Sequence, residues 1–183
     1  MDIRLRRMVE SDMENVMNWR MNPEVTKYMY TDPKLTLESQ LKWFAKVDAD
    51  ETCKYFIIVV DEVPIGVLAI IDIDEANHRC SWIWYIGEDG YRGKGIAKKI
   101  QLNLYDYVFY EMGMHRLWSN ILSFNTHEIT RVHEACGYVV EGVQKGHIYK
   151  NGEYLDVVLM GINIDRWEEI KDQFDYPKIE FEY

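Results

Sequence analysis

A glycine-rich segment carries the clearest chemistry in the sequence: Arg92-Gly93-Lys94-Gly95-Ile96-Ala97. Two glycines let the backbone approach a ligand closely and turn its N–H groups toward it. The residues that follow have helical spacing, and the first turn of a helix leaves N–H groups unpaired at the positive end of the helix dipole. The segment therefore predicts a cradle for an anion such as a pyrophosphate.

Two common phosphate-binding loops do not match this spacing. A Walker A loop requires Ser or Thr after its Gly-Lys pair, but Gly95 follows Lys94, and Glu88 stands where the earlier glycine belongs. A dinucleotide fingerprint requires a third glycine where the sequence has Lys98. The segment instead has the form R-x-x-G-x-A.

The elements around this loop follow from hydrophobic periodicity. A strand at residues 81–86, rich in Trp and Tyr, leads into the loop, and Ile96, Ile100 and Leu104 then recur at helical spacing. Upstream, a first strand precedes two helices, the first capped by Ser11, and residues 55–60 and 65–71 form a hairpin. Downstream, the pattern is βαβ and a final hairpin, so the whole order predicts a mixed α/β domain.

The loop and several other segments resemble the GNAT acyltransferases, over residues 3–162. Residues 90–97 look like the acetyl-CoA pyrophosphate loop of that family. Asp12 followed by residues 19–25 resembles the D…WRN-x-x-V opening of its amino-sugar and ribosomal-protein branches, and residues 131–142 resemble its R-V-x-E-K-x-G-F-x-x-E-G segment. Residues 149–160 are similar to acetyltransferases that act on nucleotide-linked 4-amino sugars in nonulosonic-acid synthesis.

The resemblance implies a GNAT acyl-CoA N-acyltransferase fold, with a central mixed, mostly antiparallel sheet flanked by helices. We expect a single domain over residues 1–166 and an acidic, aromatic tail over residues 167–183. Acetyl-CoA is the implied cosubstrate, and the implied reaction is direct transfer of its acetyl group to a primary amine in a ternary complex.

The resemblance also assigns the cofactor contacts. The backbone of Tyr85, Ile86 and Gly87 is expected to hold the pantetheine arm and the thioester carbonyl. The pyrophosphate loop then supplies the anion contacts: Arg92, Gly93, Lys94, Gly95, Ile96 and Ala97. Asn125 is a further candidate contact, although with Glu128 three residues later it also has the pattern of a helix cap.

The catalytic groups are less clearly indicated. His133 stands where the family has a Tyr that acts as general acid; an imidazole can protonate a thiolate, but a structural role is the alternative. His78 and Glu88 are candidate general bases, with a chain of water molecules as the alternative. Arg20 and Asn22 are candidate contacts to a diphosphate or to sugar hydroxyls, against an interpretation in which Arg20 is merely solvated.

Composition limits the partners. The 183 residues include 31 acidic and 21 basic side chains, a net charge of −10, which argues against a nucleic-acid interface and suits an amine substrate. Three cysteines without C-x-x-C spacing indicate neither disulfides nor a metal site. The sequence shows neither a signal peptide nor an apolar run of the ~20 residues that span a membrane, so we expect a cytoplasmic protein.

Several functions remain open at this stage. Acetylation of a nucleotide-linked amino sugar leads, with acetylation of a polyamine or of a ribosomal-protein amino terminus as alternatives. A catalytically silent CoA-binding regulatory module is the non-enzymatic alternative. The aromatic tail and the Trp-rich strand leave room for a homodimer.

Overall fold

The fold is described by a computed structural model that covers residues 1–125 and 130–183. Its helices are α1 (Met13–Met21), α2 (Pro23–Thr26), α3 (Leu37–Asp48), α4 (Ile96–Asp106), α5 (Arg131–Ala135) and α6 (Ile164–Ile170). Its strands are β1 (Ile3–Arg7), β2 (Lys54–Val60), β3 (Val63–Asp74), β4 (Arg79–Ile86), β5 (Arg116–Leu122), β6 (Val139–Lys150), β7 (Glu153–Asn163) and β8 (Glu180–Glu182).

The strands form one sheet with the hydrogen-bonded order β6-β7-β5-β4-β3-β2-β1-β8. The pairs β1–β2, β2–β3, β5–β7 and β6–β7 are antiparallel, whereas β4–β5 and β1–β8 are parallel. The expected mixed α/β class with a mostly antiparallel sheet is therefore confirmed.

Contacts divide the chain into two compact units. The first unit comprises Met1–Ile73, Trp82–Lys94 and Ile179–Tyr183, and the second comprises Asp74–Ser81 and Gly95–Lys178. The parallel pairing of β4 with β5 lies in the second unit and consists of the pairs Arg79–Arg116, Cys80–Leu117 and Ser81–Trp118. The remainder of β4 belongs to the first unit.

The first unit is built on the β2–β3 hairpin, whose apolar side chains pack against α1. Its core cluster contains Met8, Met13, Val16, Trp19, Ile57, Val59 and Val67, with side chains of α3 packed against it. The N-cap of α1 is Asp12 and not Ser11. Asp12 is held in place because its carboxylate accepts two hydrogen bonds from Arg6, at 2.7 and 2.8 Å, and one from Val9 N–H.

The second unit is built around α4 and the antiparallel strands β5, β7 and β6. Helix α4 is buried along most of its length, and Tyr105 at its end stacks on Tyr138 and meets Trp167 edge to face. Residues 167–178 pack within this unit, since Trp167 is fully buried and its indole N–H donates to Asp106. Tyr176 and Lys178 also hydrogen-bond to Asp106.

The last residues complete an edge of the first unit. β8 pairs in parallel with β1, Arg4 opposite Glu180, and the Lys54 ammonium lies 3.9 Å from the centre of the Tyr183 ring. Residues 167–178 thus belong to the second unit and residues 179–183 to the first, and the boundary expected at residue 166 stays a prediction. Aromatic contacts and edge pairing order this segment, which has no hydrophobic period.

Candidate active site

The strand end that precedes the glycine-rich loop is tightly fixed within the first unit. The N–H groups of Gly87 and Glu88 both donate to the Ile65 carbonyl, at 2.8 and 3.0 Å. A Cβ atom at Gly66 would lie only 2.1 Å from the Tyr85 carbonyl oxygen, so glycine is required for this close approach of β3 to β4. The backbone of Tyr85, Ile86 and Gly87 is therefore held rigidly by its neighbouring strand.

Trp19 links helix α1 to this strand end. Its indole N–H donates to the Glu88 carboxylate at 2.8 Å, and its ring occupies the space that a side chain at Gly87 would need. Trp19 is buried, whereas Glu88 is exposed. Glu88 is thus a solvent-accessible carboxylate with a fixed orientation, which agrees with its candidacy as a general base.

Arg92 closes the first part of the loop back onto the strand. Its guanidinium donates to the Ile86 carbonyl, at 3.0 Å from Nη2 and 3.3 Å from Nε, and lies 3.5 Å from the Asp89 carboxylate. Ile86 O and Gly87 N–H, two of the backbone groups expected to hold the pantetheine arm, therefore already have partners within the chain. The role of Arg92 seen here is to shape the loop.

The glycines of the loop adopt the conformation that only glycine takes without strain. Gly93 and Gly95 have φ angles of +76° and +74°, and a Cβ atom built on either would meet nothing within 4 Å. The space beside them is open, so glycine here serves backbone conformation and close approach rather than packing. The chain passes from the first unit to the second between Lys94 and Gly95.

Gly95 is the N-cap of α4, an 11-residue helix in the second unit. Ile96 at its start is buried and fixes the helix end, whereas Gly95 itself is exposed. The N–H groups of Gly95, Ile96 and Ala97 have no acceptor among the residues that the structure describes. These unpaired donors lie at the positive end of a helix dipole, the arrangement predicted for a cradle that binds an anion such as a pyrophosphate.

His133 lies in a different environment from the one expected of an exposed acid. It is 3% exposed, its Nδ1 is 2.9 Å from Gln101 Oε1, and its ring stacks on Tyr138. Burial lowers the pKa of His133 to about 4, so its imidazole is neutral at pH 7. Since an amide oxygen only accepts, Nδ1 carries the proton. This environment favours a packed, neutral histidine over a proton donor.

Replacing His133 with glutamine should separate the two roles of this residue. Because the folded pKa of about 4 lies below the ordinary 6.5, the unfolded chain binds the extra proton between these pH values. The free energy of unfolding therefore falls as the pH is lowered from 6.5 toward 4, by ~3 kcal/mol for a shift of this size. Above pH 6.5 the neutral His133 has no such effect on stability. We expect urea unfolding of His133→Gln to show a flatter dependence on pH across this range.

Turnover provides the counter-test for His133. A structural histidine predicts that kcat of the glutamine variant stays within about tenfold of the original at pH 7.5, because the neutral side chain is replaced by another hydrogen-bonding group. A loss of about 10³-fold, the size expected for a missing general acid, would restore the acid role instead.

The other predicted residues are placed as follows. His78 is exposed in the turn between β3 and β4, with a φ of +48°, and its carbonyl accepts hydrogen bonds from His115 and Arg116 N–H. The structure thus shows a turn-forming backbone role for His78 and leaves its imidazole open to solvent. The Asn125 side chain and Glu128 lie outside the described residues, so the predicted contact and the alternative cap remain predictions.

Asn22 and Arg20, the two residues predicted to contact the substrate, lie in different surroundings. Asn22 is the N-cap of α2, and its side-chain oxygen accepts from Glu24 N–H at 2.9 Å, while its contact to the substrate stays a prediction. Arg20 is half-buried, and its Nη1 is buried without a hydrogen-bond partner among the described residues. The hydroxyl of Tyr30, a residue that the sequence patterns did not indicate as a site residue, is also buried without a hydrogen-bond partner among the described residues.

The described residues also bear on metal binding and on membrane insertion. Within residues 1–125 and 130–183, no group of three or more His, Cys, Asp and Glu side chains is arranged to hold a metal ion. Among the helices that the structure describes, none is both long enough and apolar enough to cross a membrane.

Unpaired N–H groups at the start of a helix whose N-cap is a glycine form a site suited to an anion such as a pyrophosphate. The family model described as "Acetyltransferase (GNAT) domain" matches residues 2–139, and the chain belongs to this family. It is therefore an N-acetyltransferase by family, and the GNAT acetyltransferases use acetyl-CoA as acetyl donor.

Relatives and solved structures agree with this membership. Spermidine N(1)-acetyltransferase of Vibrio cholerae is 24% identical over 160 residues, covering 86% of this chain and 91% of that protein. Acetyltransferase PseH of Campylobacter jejuni is 24% identical over 126 residues, 67% of this chain and 76% of that protein. The crystal structure of the Vibrio cholerae spermidine N-acetyltransferase with CoA and spermine has a TM-score of 0.85 at 22% identity, covering 91% of this chain and 98% of that one.

Proposed function

We propose that this protein transfers the acetyl group of acetyl-CoA to the primary amine of a nucleotide-linked amino sugar. The observation that carries the transfer is the set of unpaired N–H groups at Gly95, Ile96 and Ala97, which suits the pyrophosphate of the donor. The substrate rests on residues 149–160, which resemble acetyltransferases for 4-amino sugars, and the similarity to PseH supports it.

The proposed chemistry requires a deprotonated amine that attacks the thioester carbonyl. Glu88 is the strongest candidate base, because its carboxylate is exposed and oriented by the Trp19 indole N–H. His78 is the second candidate, since its imidazole is exposed. The neutral, buried His133 suits a positioning role, so the thiolate that leaves would take its proton from the amine or from water.

Polyamine acetylation is the second candidate function. The spermidine acetyltransferases are similar to this chain over 86% of its length, and a net charge of −10 attracts polycations. At 24% identity, the likeness does not carry the substrate over.

A thiol-release assay decides between these functions. The protein is given acetyl-CoA and, in separate reactions, a nucleotide-linked 4-amino sugar, spermidine, and a peptide with a free ribosomal-type amino terminus. We expect release of free CoA with the amino sugar at a kcat/KM at least tenfold above that with spermidine. Faster release with spermidine or the peptide would replace the proposed substrate, and CoA binding without release from any amine would indicate a regulatory module.

A further inference from the structure

The Arg20 guanidinium is a half-buried positive charge with a buried donor that has no partner among the described residues. This donor is Nη1, whereas Nη2 donates to Thr31 Oγ1 at 3.4 Å. A guanidinium stays charged at all ordinary pH values, and burying its donors without acceptors is unfavourable.

Arg20 lies beside the strand that leads into the glycine loop, within the first unit. Trp19, its neighbour on α1, packs against Gly87, and the Arg20 charge acts on the Tyr85 hydroxyl. Burial raises the pKa of Tyr85, and Arg20 opposes this shift because its positive charge favours the tyrosinate. Arg20 thus directly follows the residue of α1 that packs against Gly87, at the strand end where the resemblance places the thioester end of the donor.

A second donor without an acceptor lies in the same stretch of chain. The Tyr30 hydroxyl is buried without a hydrogen-bond partner among the described residues, and burial raises its pKa, so it remains a neutral donor. Tyr30 directly precedes Thr31, the residue that contacts Arg20. The carboxylate of Glu24 nearby in the chain is already paired with Lys27 at 2.6 Å. This stretch thus offers a buried hydroxyl donor beside the residue that accepts from Arg20.

We infer that Arg20, with Tyr30 as a second donor, binds an oxyanion of the acceptor and makes the site select anionic amines over polyamines. The inference rests on the proposed function, in which the acceptor carries a diphosphate. A guanidinium is suited to this ligand because its planar N–H groups bind two phosphate oxygens at once. The same charge disfavours spermidine by electrostatic repulsion.

The test measures binding of uridine diphosphate and of inorganic pyrophosphate by calorimetry, in protein saturated with CoA so that the start of α4 is occupied. We expect Arg20→Met to weaken both probes about 10- to 100-fold, and Arg20→Lys to recover part of this loss. Tyr30→Phe should weaken both by a smaller factor. The matched control is Arg166→Met, which removes an exposed arginine paired with Glu169 and should leave all affinities unchanged.

The unfolding temperature of Arg20→Met distinguishes a ligand-binding role of Arg20 from a structural role. Because the buried donor has no acceptor in the free protein, Arg20→Met should unfold at the same temperature as the original protein or at a higher one. Its affinity for CoA should also be unchanged. A lower unfolding temperature together with weaker CoA binding would show that Arg20 is structural, and equal binding of uridine diphosphate by the original and by Arg20→Met would refute the inference outright.

The two proposals fail in different ways. If no amine turns over but uridine diphosphate binding still depends on Arg20, the anion site stands and the proposed activity falls. If the amino sugar turns over and Arg20→Met affects neither its KM nor the binding of uridine diphosphate, the activity stands and the anion site falls.

Discussion

Replacing Gly95 with valine is expected to weaken acetyl-CoA binding by about 100-fold or more while the protein remains folded. A β-branched residue at a φ of +74° is strained by ~1–3 kcal/mol, but its Cβ would meet no atom of the protein within 4 Å. The new side chain instead fills the space through which phosphate oxygens approach the N–H groups of α4. Loss of two charge-assisted hydrogen bonds, each worth about 1.5–3 kcal/mol, accounts for the expected loss of affinity.

Gly113 supplies a matched control for this substitution. It lies in the second unit with a φ of +67°, and a Cβ atom there would also meet nothing within 4 Å. Gly113→Val should therefore lower the unfolding temperature about as much as Gly95→Val, without a change in CoA affinity. Calorimetric titration with CoA and thermal unfolding measure the two effects. Equal CoA affinities for the two variants would show that the start of α4 does not bind the donor.

Replacing Trp167 with alanine is expected to lower the free energy of unfolding by about 3–5 kcal/mol. The indole is fully buried, contacts the rings of Tyr105, Phe174 and Tyr176, and donates to Asp106 at 3.2 Å. Its removal leaves a large cavity and one fewer donor for Asp106. Since a domain of this size is stable by only ~5–15 kcal/mol, the variant should unfold at much lower urea concentration.

Tyr154 is the control for aromatic content in this unit. It is 74% exposed and contacts Tyr149, so Tyr154→Ala should change the free energy of unfolding by no more than about 0.5 kcal/mol. Urea titrations followed by tryptophan fluorescence and by circular dichroism measure both variants. If Trp167→Ala proves no less stable than Tyr154→Ala, the burial of Trp167 does not stabilise the protein, and residues 167–183 are the tail predicted from the sequence.

The glycine loop could be predicted because its information is local. Glycine spacing, a preceding strand and the helical period of α4 all lie within about 25 consecutive residues, where periodicity and turn chemistry are most informative. The turn of the β2–β3 hairpin was predictable in the same way, and Asp61 and Glu62 there both adopt positive φ angles of 47° and 66°. Local signals were sufficient for the class of fold.

Other features depend on contacts that local patterns do not contain. The burial of His133 follows from Gln101, which lies 32 residues earlier, and from the ring of Tyr138. The anchoring of residues 167–178 depends on Asp106, which is 61 residues before Trp167. Asn22 caps α2 because Glu24 N–H donates to it, and Asp12 is fixed by the Arg6 guanidinium. The unpaired donors of Arg20 and Tyr30 are visible only once their surroundings are known.

The pairing of β8 with β1 has a consequence for how the chain reaches its folded state. Arg4 lies opposite Glu180, so this edge joins residues 176 positions apart, 180 minus 4. Contacts of such long sequence separation form slowly, because the intervening loop must close first. During synthesis, one edge of β1 stays unpaired until residues 180–182 have left the ribosome. A newly made chain therefore exposes a strand edge open to wrong pairing with other chains until β8 pairs with it.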